Sequence, residues 1–292
     1  MNIDVTIMQA LVDPASPQGG GNPAGVVMDA DALTAAQKQA IAAQVGLSET
    51  AFVSRSERAD FTLEFFTPTQ QIAHCGHATV AAFSWLQQQG RFSSARSSKE
   101  TIDGVRDIWL DQGRVYMQQQ APVYQSLQHD QQLLASILQG AHWCSEPQLV
   151  NTGNGFALVE LANFQQLQAL TVDQSLLSQL SEQLDLVGLY VYTLESSDTA
   201  SPAERHASSR MFAPRYGISE EAATGMAAGP LACLLQQRSG QPQANWWIEQ
   251  GHAMAQPSPS LIEVKLQLAR HKIQSLMAGG IASFARTLSV SI

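Results

Sequence analysis

The chain has 292 residues, of which 45% are hydrophobic and 14% charged, and it carries a net charge of −9. That composition excludes a disordered chain, and the length is enough for a large core in two domains. The acidic balance, without a Lys/Arg cluster, argues against nucleic acid and against an anionic membrane surface. No apolar run approaches the ~20 residues of a membrane span.

In chain order, residues 3–12 and 24–28 read as strands, joined by a loop with Gly19-Gly20-Gly21-Asn22-Pro23. A helix follows, with Thr34 as N-cap, Ile41 and Val45 four apart on one face, and Gly46 as its stop. Strands are expected at 47–53 and 61–66, the second ended by Pro68, and a helix from His77 to about Gln89. Further strands are predicted at 104–110, 114–119, 148–152, 155–161 and 186–193, and helices at 130–139 and 173–183. Residues 196–209 read as a polar loop and 210–212 as a strand, before a helix from Gly225 to Gly240. Strands at 245–250, 260–268, 271–277 and 280–290 complete the chain.

The pattern is α+β with many short antiparallel strands, not a regular βαβ alternation. The expected domains are 1–120, joined by the last strand 280–292, and 121–279. Two stretches repeat one arrangement. Phe66-Thr67-Pro68 leads through a polar loop to Cys75-Gly76-His77-Ala78-Thr79, and Phe212-Ala213-Pro214 leads to Ala223-Thr224-Gly225-Met226. Each opens an Ala-rich helix, whose N-terminus presents unpaired N–H groups to an anion. Two such ends in one chain point to a bound carboxylate. The N-terminus lacks a basic segment followed by an apolar one, so no signal peptide is expected. Cys75, Cys144 and Cys233 form no spaced framework and are expected as free thiols in the cytoplasm.

Glu49 lies at a helix-to-strand junction among apolar neighbours, where desolvation would raise its pKa toward that of a neutral-pH acid and base. Taken alone, the residue reads first as a strand-edge carboxylate facing water. His77 at a helix start can donate a hydrogen bond or relay a proton, or simply cap the helix. Cys75 beside it is a nucleophile, a base or a small packing residue. His74, Cys75 and His77 lack a fourth ligand at any recognised spacing, so no metal is expected. The glycines 19–21 lack the Gly-Lys-Ser/Thr of a phosphate loop. Glu220 and Glu221 could each bond an amine or hydroxyl of a ligand, or merely favour the following helix N-terminus.

Taken together, Gly21-Asn22-Pro23-Ala24-Gly25, Leu47-Ser48-Glu49-Thr50-Ala51-Phe52, Cys75-Gly76-His77-Ala78-Thr79, Arg210-Met211-Phe212-Ala213-Pro214 and Glu221-Ala222-Ala223-Thr224-Gly225-Met226 resemble the PhzF family of phenazine-biosynthesis-like isomerases. The resemblance spans nearly the whole chain. It implies a diaminopimelate-epimerase-like fold: two pseudo-symmetric domains, each an antiparallel barrel around a central helix, with the active site in the cleft. It also implies a homodimer and chemistry without cofactor or metal.

The same resemblance makes Glu49 the group that moves a proton between substrate carbons, with His77 assisting. It assigns Asn22, Cys75, Gly76, Glu221, Thr224, Gly225 and Met226 to the substrate pocket. Two of these depart from the phenazine isomerase: Glu221 stands where that enzyme has Asp, and Met226 where Ser or Asn is common. Both changes argue against the phenazine precursor as substrate. The expected function is therefore a cofactor-independent isomerase acting on a small carboxylate. The alternatives are a Cys75-dependent amino-acid epimerase or racemase, and a non-catalytic carboxylate binder.

Overall fold

A computed structural model of the chain describes residues 1–16, 19–197, 204–270 and 272–292. Part of the polar loop expected at 196–209, and His271 at the start of one expected strand, fall outside these residues. The chain divides into two compact units. Unit 1 comprises Met1–Val12, Gly21–Gln118 and Gly279–Ile292, and unit 2 comprises Asp13–Gly20 and Gln119–Ala278. No helix of the described residues is long and apolar enough to cross a membrane.

The elements that begin in unit 1 are β1 (Asn2–Ala10), β2 (Asn22–Val27), α1 (Ala35–Val45), β3 (Thr50–Ser54), β4 (Phe61–Phe66), β5 (Gln71–Ile72), α2 (Gly76–Gln88), β6 (Arg96–Thr101), β7 (Gly104–Asp111) and β8 (Arg114–Gln119). Unit 2 holds β9 (Val123–Ser126), α3 (Gln131–Ile137), β10 (Gln148–Asn151), β11 (Gly155–Glu160), α4 (Phe164–Ala169), α5 (Gln174–Gln183), β12 (Gly188–Thr193), β13 (Ala207–Ala213), β14 (Ile218–Glu221), α6 (Gly225–Ser239), β15 (Asn245–Gln250) and β16 (Ser260–Ala269). The last strand, β17 (Lys272–Ser291), belongs to unit 2 up to Ala278 and to unit 1 from Gly279.

In unit 1, pairings run from β17 through β1, β2, β3, β4, β6, β7 and β8 and return to β17, closing an eight-stranded ring. Most pairs are antiparallel, as expected. Among the described residues, the parallel pairs include β2 with β3 and β4 with β6, and in unit 2 β11 with β12 and β13 with β15. Each of these four parallel pairs is bridged by a segment containing a helix, which is how a chain returns to start a parallel neighbour. The repeated sequence arrangement becomes one repeated topology. A strand ending near Phe-x-Pro pairs antiparallel with a short strand, a helix follows, and the next strand lies parallel to the first. That sequence is β4–β5–α2–β6 in unit 1 and β13–β14–α6–β15 in unit 2.

The two helices in this arrangement are the most buried of the chain. Every residue of α2 from Gly76 to Ser84 is buried, and α6 is buried from Ala227 to Leu235. Ala, Gly, Thr and Ser supply most of these positions, so strands can approach a helix on all sides. The other helices pack by one face only. Ile41 and Ala42 of α1 join Val5, Ile7, Val27, Phe52 and Phe66 in one core, and Leu177 and Leu180 of α5 join Leu134, Ile137, Leu189 and Val191 in another. Thr34 caps α1 as predicted, accepting from the Gln37 amide while the Gln37 side chain reaches back to the Thr34 amide. Thr34→Ala is expected to cost about 1 kcal/mol in urea unfolding.

Several elements depart from the sequence expectation. From Lys272 on, the stretches expected at 271–277 and 280–290 are one continuous strand, β17. Strands β9 and β14 and helix α4 carry too few apolar residues to signal themselves. Strand β6 was missed for a more specific reason. Its alternation places Ser97, Lys99 and Thr101 inward, so its buried face is polar.

Candidate active site

Glu49 does not lie within a strand, as expected, but immediately before β3. Its backbone carbonyl accepts from the Gly25 amide at 3.1 Å, which ties it to the neighbouring β2. The side chain is turned inward and is 4% exposed. It faces His77, with Oε2 3.2 Å from Nε2. The other ring nitrogen, Nδ1, lies 3.6 Å from the Cys75 thiol. The imidazole thus stands between a thiol and a carboxylate, and all three groups are buried.

The geometry follows from local structure. Cys75 is the N-cap of α2 in an extended conformation, and Gly76 and His77 are its first two helical residues. The Cys75 side chain makes no capping hydrogen bond to the helix. His74 is not part of the cluster. Its Nδ1 lies 3.4 Å from the Lys99 ammonium, which removes it from the ligand-like trio His74, Cys75 and His77. Asn22 is buried as the first residue of β2, the strand beside β3.

The electrostatics correct the expectation for Glu49. Burial does push its carboxyl up, but the facing His77, together with the Ser48 hydroxyl, outweighs burial and holds it below the usual carboxylate range. Its apolar sequence neighbours gave no sign of the imidazole, because His77 comes from another element 28 positions on.

The start of α6 in unit 2 carries a second polar cluster. Thr224 is the N-cap, Gly225 the first helical residue and Met226 the second. The Thr224 hydroxyl donates to Glu221 Oε2, and both residues are buried. Gln250, at the end of β15, ties the turn together. Its amide donates to the Glu221 carbonyl at 2.7 Å and to Thr224 Oγ1 at 3.1 Å, and its oxygen accepts from the Thr224 amide at 3.0 Å. Tyr190 donates to the same oxygen at 3.0 Å. Asn154 Nδ2 sits 3.5 Å from the Met226 sulfur.

Sequence reasoning missed Gln250, which follows two tryptophans, Ile248 and Glu249 in an unremarkable strand. The one available signal was a second polar residue closing a strand that begins with two tryptophans and an isoleucine after Asn245. The two acidic candidates separate clearly. Glu220 is engaged by Arg210 through two contacts of 2.7 and 2.9 Å, and that guanidinium also donates to the Leu167 and Leu170 carbonyls. Glu220 therefore anchors structure, and Glu221 faces the helix start.

Unit 1 thus joins an eight-stranded ring and a largely buried helix to a carboxylate, an imidazole and a thiol gathered at that helix's N-terminus. The chain matches the family described as phenazine biosynthesis-like protein (PhzC-PhzF) over residues 15–286 and belongs to it. It is 32% identical over 290 residues to a Deinococcus radiodurans protein named an uncharacterized isomerase, covering 92% of this chain and 89% of that one. It is 33% identical over 247 residues to the trans-2,3-dihydro-3-hydroxyanthranilate isomerase of Pseudomonas chlororaphis, covering 82% and 83% of the two chains. A crystal structure of a PhzF-family protein from Bacillus anthracis superposes with a TM-score of 0.88 at 24% identity, covering 100% of both chains. The protein is an isomerase by family.

Proposed function

We propose that the protein isomerises a small carboxylate by moving a carbon-bound proton, with Glu49 as general acid and base and His77 as its partner. The observation that carries this is the buried Glu49–His77 contact of 3.2 Å at the start of α2. A carboxylate held ionised at neutral pH can accept a proton, and the imidazole beside it can share or relay that proton. The first-turn amides at Gly76 and His77 would stabilise the negative charge that develops when a C–H proton leaves. Asn22, Cys75, Gly76, Glu221, Thr224, Gly225 and Met226 belong, in this proposal, to substrate binding. Met226 brings an apolar thioether and Glu221 a carboxylate already bonded to Thr224, which favours a substrate other than the hydroxyanthranilate precursor.

A second mechanism has its own observation. Cys75 lies 3.6 Å from His77 Nδ1, so the thiol can exchange a proton with the same imidazole and serve as an epimerase's acid or base. Deuterium incorporation from D2O, followed by NMR over a panel of amino acids, cyclic carboxylates and the dihydro-hydroxyanthranilate, separates the two. Exchange lost in Glu49→Gln supports the first mechanism. Exchange that survives there but disappears in Cys75→Ala transfers the chemistry to the thiol. A ligand that binds without exchange in the unmodified protein overturns both for that compound.

A further inference from the structure

Lys99 occupies the inward face of β6 and is completely buried. Among the described residues, no carboxylate pairs with it. Its ammonium instead donates to the Thr79 hydroxyl at 2.6 Å, faces His74 Nδ1 at 3.4 Å and stands 5.0 Å from the Phe65 ring. The Thr79 hydroxyl in turn donates to the Cys75 carbonyl at 2.6 Å. A chain of two short hydrogen bonds therefore runs from Lys99 to the backbone of the α2 N-cap.

Each link has a defined direction. An ammonium has only donors, so the Thr79 hydroxyl must accept from it, and its single proton is then directed at Cys75. The His74 ring is neutral, because burial first, and then Lys99 and Arg106, hold it well below the ordinary imidazole value, so its Nδ1 can accept. Lys99 thus grips both residues that lead into α2, directly at His74 and through Thr79 at Cys75.

A lysine used only as filler is expensive here, since burying an unpaired ammonium costs far more than burying Met or Leu. We propose that Lys99 is a positioning residue for the Glu49–His77–Cys75 site, fixing the α2 N-cap through Thr79 and the residue before it through His74. The inference rests on that cluster being the reaction centre. The charged and titratable groups that face Lys99 are Cys75 and His74 at the start of α2, Arg106 opposite it on β7, and Asp103 in the β6–β7 turn. Burial lowers the ammonium to about 7, with Cys75 and Asp103 acting to raise it and Arg106 to lower it.

The test reads the thiol itself. In a Cys144→Ser background the exposed thiol is gone, and burial pushes the Cys233 thiol up to about 12, so the ionisation of Cys75 can be followed apart from both. Absorbance at 240 nm then follows Cys75 ionisation. With Lys99→Met added, the midpoint should move by about one pH unit, because the N-cap that carries the thiol is no longer held through Thr79. Lys99→Arg, which keeps the charge, should restore most of that shift. If the Met variant does not fold, Lys99→Gln takes its place.

An unmoved midpoint in a folded, uncharged variant overturns the proposal, and so does a shift that Arg fails to restore. Proton exchange by Glu49→Gln, measured alongside, tests the catalytic assignment separately. Full exchange there defeats the assignment of Glu49, while the thiol titration still reports on Lys99 alone.

Discussion

Replacing Glu49 by Gln is expected to lower proton exchange by about 10²–10⁴-fold, the range over which a positioned general base contributes. The variant is nearly isosteric and keeps an oxygen facing His77 Nε2, so the fold should persist and the loss should fall on kcat. The pH dependence is the sharper test. Because His77 outweighs burial and holds Glu49 below its ordinary value of 4.5, this carboxyl is already largely ionised at that pH. The acid limb of exchange should therefore lie below pH ~4.5, not near neutrality. A limb between pH ~6 and ~7 would mean that another group is the base.

The same pair makes a stability prediction. A carboxyl with a depressed folded value contributes stability above its unfolded value of 4.5, and that contribution is lost as pH falls through the depressed one. Glu49→Gln should accordingly flatten the loss of thermal stability as the protein is acidified below pH ~4.5. A parent and variant whose melting temperatures fall in parallel over that range would contradict the ion-pair assignment.

The second large effect concerns Gly279, the first residue of β17 that belongs to unit 1. A Cβ there would lie 1.9 Å from the Val115 carbonyl oxygen and 2.7 Å from the Tyr116 Cα, both backbone atoms of β8. Neither can move without opening the ring of strands at the β8–β17 pairing. Gly279→Ala should therefore destabilise the protein by more than about 4 kcal/mol or prevent folding, read as soluble yield and urea midpoint. Gly155→Ala is the matched control. Its Cβ would make only ordinary contacts of 3.5–3.6 Å with Leu186, Asn151 and Leu149, so a change within about 1 kcal/mol is expected. Equal effects in the two variants would show that the close approach at Gly279 is not what constrains this strand.

The local structure around the candidate site was legible because it is built from local chemistry. Cys75-Gly76-His77 and Thr224-Gly225-Met226 announce helix starts through small residues, and both helices begin there. The cap at Thr34 and the stop at Gly46 are equally local, since the hydrogen bonds involved span only three or four residues. The class of fold followed from alternating strands and two Ala-rich helices.

What the chain could not announce are interactions whose partners come from distant elements. His77 reverses the pKa direction expected for Glu49, and nothing around Leu47-Ser48-Glu49 signals an imidazole. Gln250 organises Glu221 and Thr224 from 26 and more positions away. Lys99 lies on a strand whose polar inner face defeats any hydrophobic pattern. Four strand pairs are parallel because helical crossovers bring them together, a choice set by topology, not by strand composition. Local propensity and small-residue turns decided where helices and strands begin. Desolvation and long-range pairing, which exist only once the chain has closed on itself, decided which buried groups face one another and in what charge state.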